Sequence, residues 1–157
     1  MKTQTCCFTG HRNIPVSECA AIQKRLDSEI RSLINQGFCD FIAGGALGFD
    51  TMAALSVLSL KAEFPKTRLI LALPCRDQAK HWGKEDKKIY DQIHEKADEV
   101  VYSSDAYYPG CMWKRNRYMA DRSAFCVCWL TEAKGGTAYT VRYATQKGVP
   151  VVNLAMR

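Results

Sequence analysis

Short apolar segments alternate with amphipathic stretches along the whole 157-residue chain. The apolar segments predict six strands, at residues 6–9, 38–43, 68–73, 99–102, 125–130 and 149–154. Apolar residues at helical spacing predict five helices between those strands. This alternation is typical of a parallel sheet covered by helices on both faces. We therefore predict an α/β fold, a single Rossmann-like doubly wound domain over residues 1–157 with a mainly parallel sheet.

The predicted helices have recognisable ends. Ser17 follows Pro15 and is expected to cap the first helix, which Gly37 ends. The second helix starts directly after a glycine-rich turn at residues 44–48. The other three are predicted at residues 84–97, 112–121 and 137–146.

Composition places the chain among ordinary globular proteins, with 47% hydrophobic and 24% charged residues. No apolar run approaches the roughly 18 residues of a membrane span, and the start of the chain lacks a signal-peptide profile. We therefore expect a cytoplasmic protein without a membrane partner. The net charge of +6 favours anionic partners without identifying one.

The eight cysteines do not form a metal-binding pattern. No C-x-x-C occurs, and no histidine stands near a cysteine pair as a zinc site requires. Six of the cysteines fall in or beside apolar segments, where cysteine behaves as a small buried hydrophobe. We therefore expect reduced thiols, no metal and no resident cofactor.

Several predicted strands are followed by residues suited to an anionic ligand. A doubly wound sheet binds its ligand at the carboxyl ends of its strands. Thr9, Gly10, His11 and Arg12 follow the first strand, where Arg12 either binds a phosphate or is solvated. Arg76 follows the third strand and either binds phosphate or pairs with Asp77.

Two glycine-rich turns each open a helix. Free N–H groups at a helix start favour an anion. The ligand-binding candidates in these turns are Gly44, Gly45, Gly48, Asp50, Gly135, Gly136, Thr137 and Thr140. Asp50 has a second explanation, stabilisation of the helix dipole. Ala43 occupies the place of the first glycine in G-x-G-x-x-G, and the acid expected after the next strand is missing, so an NAD-type dehydrogenase is disfavoured.

The helix at residues 112–121 concentrates cations, an amide and aromatic residues. Arg115 and Asn116 are candidates for the ligand site, whereas Arg117 and Asp121 are spaced to pair with each other. Basic and aromatic residues together also suit single-stranded nucleic acid. We assign the three tryptophans to packing rather than to ligand stacking. These are Trp82, Trp113 and Trp129.

In their order and placement, these motifs resemble the SLOG superfamily of Rossmann-like proteins, and within it the YpsA-like bacterial group. The resemblance covers nearly the whole chain. It rests on Thr9-Gly10-His11-Arg12, Gly44-Gly45 with Gly48-Phe49-Asp50, Arg115-Asn116-Arg117-Tyr118-Met119, and Gly135-Gly136-Thr137. It implies a nucleotide-like ligand, since the superfamily includes LOG-type phosphoribohydrolases, DprA-like proteins that bind single-stranded DNA, and sensors of nucleotide-derived signals.

Comparison with the LOG-type enzymes argues against their reaction here. Their P-G-G-x-G-T-x-x-E motif carries a catalytic glutamate, and its position falls on Thr140. A threonine cannot act as the carboxylate that stabilises an oxocarbenium-like centre. If the chain is nevertheless a nucleotide N-glycosidase, Arg115 with Asp50 or Asp121 are the catalytic candidates.

We therefore predict binding of a nucleotide or nucleotide-derived small molecule, as a sensor or sequestering domain. LOG-like hydrolysis is the first alternative, and DprA-like binding of single-stranded DNA is the second. The oligomeric state stays open, although surface aromatics such as Tyr107 and Tyr108 could contribute to a homo-oligomer.

Overall fold

A computed structural model describes residues 2–156, so Met1 and Arg157, the two ends of the predicted 1–157 domain, lie outside the described residues. The strands are β1 Thr5–Gly10, β2 Asp40–Ala43, β3 Arg68–Leu73, β4 Glu99–Tyr102, β5 Phe125–Trp129 and β6 Val151–Asn153. They form one sheet in the order β4-β3-β2-β1-β5-β6, with every neighbouring pair parallel. The predicted α/β doubly wound fold is confirmed.

Five helices cover the sheet on both faces. They are α1 Val16–Asn35, α2 Phe49–Leu60, α3 Lys84–Lys96, α4 Cys111–Asp121 and α5 Gly136–Gln146. Side chains of α1, α2 and α3 share one apolar core with the sheet, and side chains of α4 and α5 share the other. No helix within residues 2–156 combines the length and apolarity needed to cross a membrane.

Successive side chains of a strand point to opposite faces of the sheet, so one short strand contributes to both cores. In β1, Cys6 and Phe8 face the core under α1–α3, and Cys7 between them faces the core under α4 and α5. Such strands are apolar on both sides, which is the signature of a buried parallel sheet. Six of the cysteines are buried, whereas Cys19 and Cys39 are partly exposed.

Most predicted element limits differ from the structure by one or two residues, and three of the differences have a clear physical reason. Ser17 does not cap α1; the helix begins at Val16, because the Pro15 carbonyl already accepts from the Glu18 N–H at 2.9 Å. β2 begins at Asp40 rather than residue 38, since the N–H of residue 38 still bonds the Leu33 carbonyl of α1. β6 is shorter than predicted, because Leu154–Met156 turns into a 3-10 helix.

Gly37 ends the first helical segment as predicted. Its φ of +103° lies in the left-handed region, and the N–H of Phe38 donates to the Leu33 carbonyl at 3.0 Å. This pair of features is a Schellman-type helix end, which a residue with a side chain adopts only at a cost. It reverses the chain from α1 into β2.

Candidate functional site

The strand order places a crevice at the carboxyl end of β1. From β1 the chain builds outward through β2, β3 and β4, then crosses back to place β5 and β6 on the other side of β1. Connections therefore leave β1 and β5 in opposite directions and open a gap between them. A cavity of about 390 Å³ lies there.

Nine residues proposed from the sequence line this cavity. They come from the end of β1 and the loop after it, and from the N-terminal turns of α2, α4 and α5, four segments that are remote in sequence. They are Thr9, Gly10, His11, Arg12, Asp50, Arg115, Asn116, Gly136 and Thr137. The assignment of these residues to ligand binding itself stays a prediction.

Arg115 forms the buried positive end of the cavity. Its side chain extends from α4 to the ends of two strands, and the residue is only 5% exposed. Nη1 donates to the carbonyls of Gly44 and Ala72, and Nε donates to Asn116 Oδ1 at 2.8 Å. Burial lowers the pKa of Arg115, although the negative charge of Asp50 opposes that shift.

The remaining guanidinium nitrogen of Arg115 has a weak partner. Nη2 lies 3.7 Å from the thioether sulfur of Met112, which is a poor hydrogen-bond acceptor. Within the part of the chain that the structure describes, neither Arg115 nor the exposed Arg12 forms an ion pair with a carboxylate. An anion in the cavity would give Nη2 the strong acceptor that it lacks.

Asp50 is the carboxylate of the cavity and is 5% exposed. It lies in the first turn of α2, and its Oδ2 accepts from the Ala46 N–H at 3.3 Å. Burial raises its pKa from 3.8 to about 6, while the Arg115 charge and the Ala46 hydrogen bond act in the opposite direction. Asp50 is therefore a buried carboxyl whose pKa lies closer to neutral pH than that of an ordinary aspartate.

Gly44 separates these two opposite charges. A Cβ added to it would lie 2.7 Å from Arg115 Nη1 and 2.8 Å from Asp50 Oδ2. Both distances are too short for real side chains, so only glycine lets the guanidinium and the carboxylate approach the end of β2 together. Gly44 thus shapes the cavity from behind rather than lining it.

The raised pKa of Asp50 predicts a pH-dependent stability. The folded state holds the Asp50 proton more tightly than the unfolded state does. The free energy of unfolding therefore falls as pH rises from the pKa of the unfolded state, 3.8, to that of the folded state, about 6. Compared with wild type, Asp50→Asn should therefore gain about 2 kcal/mol in the free energy of unfolding between pH 4 and pH 7. Urea unfolding across this pH range measures the difference.

Asp105→Asn is the matched control, because that side chain is 93% exposed. Its stability relative to wild type should hardly change over the same range. A constant difference between Asp50→Asn and wild type from pH 4 to pH 7 would show that Asp50 titrates normally in the folded protein.

The β1–α1 connection closes one wall of the cavity. His11 Nε2 accepts from the Thr131 N–H at 3.0 Å, and its ring meets Trp129 edge-on with centroids 5.6 Å apart. The acceptor role of Nε2 puts the proton of the neutral imidazole on Nδ1. His11 therefore ties the connection after β1 to the one after β5, across the gap between them.

The start of α5 forms the other wall. Gly135 is its N-cap residue with φ of +95°, and Gly136 and Thr137 are the first helical residues facing the cavity. The first N–H groups of a helix lack intrahelical partners and attract anions. The N–H groups of this wall and the guanidinium of Arg115 are therefore two groups of hydrogen-bond donors that phosphate oxygens could accept from.

The structure gives four proposed residues a role in packing or pairing outside the cavity. A Cβ on Gly45 would meet the Leu73 side chain at 2.4 Å, and one on Gly48 would meet the Arg12 carbonyl oxygen at 2.2 Å. Arg76 pairs with Asp105 at 3.4 Å instead of Asp77. Thr140 is fully buried and donates to the Gly136 carbonyl.

Asp121 lies far from the cavity, at the C-terminal end of α4 beside the amino ends of the strands. Its carboxylate accepts from the Tyr143 hydroxyl at 2.7 Å. Arg117 donates to the Tyr139 hydroxyl at 3.0 Å, so the pairing expected between Arg117 and Asp121 does not form. Both side chains contact tyrosines of α5.

Five lining residues were not proposed for ligand binding from the sequence. They are Ala46, Gln78, Trp82, Met112 and Trp113. Trp129 is buried, whereas Trp113 is 53% exposed and packs on Tyr139 at the border of the cavity rather than in the core. The sequence could have indicated Trp113, because it lies two residues before Arg115, near the start of a helix that already carried predicted ligand-binding residues.

Comparison with known proteins assigns the chain to a family. The model of the YspA SLOG family matches residues 6–150. The chain belongs to the YspA SLOG family. A relative from Bacillus subtilis (strain 168), the SPbeta prophage-derived protein YoqJ, is 34% identical over 116 residues, which are 66% of this chain and 68% of YoqJ.

This YspA SLOG chain also shares its fold with DNA processing protein A. The Streptococcus pneumoniae protein superimposes with a TM-score of 0.70 at 18% identity, covering 96% of this chain but 50% of that one. The Helicobacter pylori protein, described with a single-stranded DNA binding mode, gives 0.68 at 19% identity, covering 96% and 64%. At such identities the likeness is one of fold.

Proposed function

We propose that this chain binds a nucleotide or a nucleotide-derived small molecule in the cavity at the carboxyl end of β1, as a sensor or sequestering domain. The observation that carries the proposal concerns Nη2 of buried Arg115: among residues 2–156, its one hydrogen-bond partner is the thioether of Met112. Keeping a guanidinium buried without an ion pair is costly. A phosphate ligand would give Nη2 a strong, negatively charged acceptor in addition to the nearby charge of Asp50.

The other walls of the cavity match the remaining parts of a nucleotide. The α5 start offers N–H groups to further phosphate oxygens, and Asp50 offers a carboxylate to a sugar hydroxyl. Trp82 and Trp113 contribute aromatic surface. The volume of about 390 Å³ lies within the range of small-molecule sites. Groups that can bind an anion, a sugar hydroxyl and an aromatic base thus occur together in one crevice.

The direct test is mass spectrometry of small molecules released when freshly purified protein is denatured. We expect a nucleotide in near-stoichiometric amount, or thermal stabilisation by at least one ligand from a panel of nucleoside mono-, di- and triphosphates and dinucleotides. A protein that releases no nucleotide and is stabilised by none of the panel would refute the proposal.

Gly44→Ala should weaken this binding by about tenfold or more, because a methyl group at Gly44 pushes the Arg115 guanidinium out of place. Calorimetric titration with the nucleotide that co-purifies, or with AMP where none does, measures the loss. Gly83→Ala is the matched control, since no heavy atom lies within 4 Å of its added Cβ and Gly83 does not line the cavity. Equal affinities for both variants would place the ligand elsewhere.

Hydrolysis of the N-glycosidic bond is a second candidate, favoured by one observation. Asp50 is a buried carboxyl in the cavity with a pKa of about 6, which suits acid–base work near neutral pH. Release of free base from nucleoside monophosphates, lost in Asp50→Asn, would establish it. Intact substrate after long incubation with wild-type protein would exclude it.

Single-stranded DNA is tested on the same preparation. The shared fold with the Helicobacter pylori DNA processing protein A makes this comparison necessary. Oligonucleotide retention that falls steeply with salt would indicate binding through the phosphate backbone. If no oligonucleotide is retained at low salt, DNA binding is excluded and binding of a small molecule stays the proposed function of the cavity.

A further inference from the structure

Trp113 is the most unusual surface residue beside the cavity. Its indole is 53% exposed although it lies on the third residue of α4, within one helical turn of buried Arg115. Indole rings bury a large apolar area when they can, and this one borders the cavity instead of entering the core. Its exposed surface is available to a flat apolar group.

The Trp113 ring is held in place before any ligand arrives. It stacks on Tyr139 of α5 with ring centroids 5.1 Å apart and planes 18° apart. The Tyr139 hydroxyl accepts from Arg117 at 3.0 Å, and the Tyr139 ring lies near-parallel to Tyr143 at 6.4 Å. An aromatic surface fixed in this way loses little conformational entropy when a ligand packs against it.

The exposure of the lining residues distinguishes the deep end of the cavity from its mouth. Arg115 is 5% exposed and Thr137 is 7% exposed, so the donors for phosphate lie deep. Trp113 at 53% lies at the mouth, on the same helix as Arg115. A nucleotide whose phosphate reaches Arg115 would therefore leave its base at the level of the indole ring.

We propose that Trp113 stacks against the base of the bound nucleotide and makes the site selective for ligands that carry a planar aromatic group. This inference rests on the proposed function, because it assumes that the phosphate lies at Arg115. It assigns to Trp113 the discrimination between a nucleotide and its base-free sugar phosphate. Arg115 and the α5 start, in contrast, recognise both ligands alike.

The experiment compares four nucleoside monophosphates (AMP, GMP, CMP and UMP) with ribose 5-phosphate by calorimetric titration of wild type, Trp113→Leu and Trp113→Phe. In wild type, at least one nucleotide should bind about tenfold or more tightly than ribose 5-phosphate. Trp113→Leu should remove most of that advantage while leaving the affinity for ribose 5-phosphate unchanged. Trp113→Phe, which keeps an aromatic ring, should retain part of it.

Tyr107→Leu is the matched control, since this exposed aromatic residue is not among those lining the cavity. It should leave the affinities for all five ligands unchanged. Quenching of tryptophan fluorescence by the nucleotide, reduced in Trp113→Leu, gives an independent signature of stacking.

The outcomes separate this inference from the function beneath it. Equal losses for nucleotide and ribose 5-phosphate in Trp113→Leu would show that the ring only supports the fold of the site, which overturns the inference. Tight binding of ribose 5-phosphate with no added affinity from any base would also overturn it while leaving phosphate binding intact. Failure of wild type to bind any of the five ligands would contradict both proposals for this class of ligand.

Discussion

Arg115→Met is expected to lower the affinity for a nucleotide by about a hundredfold, corresponding to the roughly 2–3 kcal/mol of hydrogen bonds to a charged group. Methionine keeps a long apolar stem but removes the hydrogen-bond donors of the Arg115 guanidinium. The variant also leaves the Gly44 and Ala72 carbonyls without this donor and Asp50 without its opposite charge, so a loss of stability is expected beside the loss of affinity. Calorimetric titration together with thermal unfolding separates the two effects.

Arg76→Met is the control for this substitution. Both arginines follow a strand or open a helix at the carboxyl edge of the sheet, and the sequence marks both as phosphate ligands. Arg76, however, lies 4.2 Å from the centroid of the Tyr102 ring and pairs with Asp105, outside the lining of the cavity. It should leave affinity unchanged. Equal losses in the two variants would mean that charge near the edge, rather than the buried site, governs binding.

Gly48→Ala should lower the free energy of unfolding by about 3 kcal/mol, the second large effect that we expect. The backbone of Gly48 has a φ of +79°, and its added Cβ would lie 2.2 Å from the Arg12 carbonyl oxygen. A carbonyl of the main chain cannot move aside as a flexible side chain can. The β1–α1 connection would have to shift, at a cost of about 6–12 °C in Tm for a chain of this size.

Gly37→Ala separates steric overlap from backbone strain. Gly37 also has a positive φ, +103°, but no heavy atom lies within 4 Å of the Cβ that the substitution adds. It should cost about 1 kcal/mol, the strain alone. Equal decreases in the free energy of unfolding, measured in urea, for Gly37→Ala and Gly48→Ala would show that steric overlap with the β1–α1 connection does not destabilise the Gly48 variant.

Much of the fold could be predicted because its signals are local. Arg68–Leu73 and Glu99–Tyr102 are strands at the predicted limits, since each is an apolar run bounded by residues that stop a strand. Gly37 ended its helix as expected for the same reason. The errors fell at the ends of elements, as at Ser17, where a carbonyl of the main chain had already taken the role assigned to a side chain.

The candidate site was harder to predict, because residue type does not reveal which neighbour a side chain will meet. Gly45 and Gly48 looked like a surface for a ligand, yet each accommodates another part of the protein. Gln78 and Trp82 carried no recognisable pattern, although both line the cavity. Their position follows from the path of the chain after β3, which no local motif describes.

Periodicity and glycine placement, which act over a few neighbouring residues, were enough to indicate parallel strands, helices on both faces and glycine-rich turns that open helices. The convergence of those parts depended on strand order, because β1 became the centre of the sheet only when β5 paired beside it. That pairing brought the N-terminus of α5 to Thr9 and His11. The contact between Arg115 and Gly44, 71 positions apart in sequence, likewise exists only in the folded chain, where packing of α4 on the sheet buries the guanidinium.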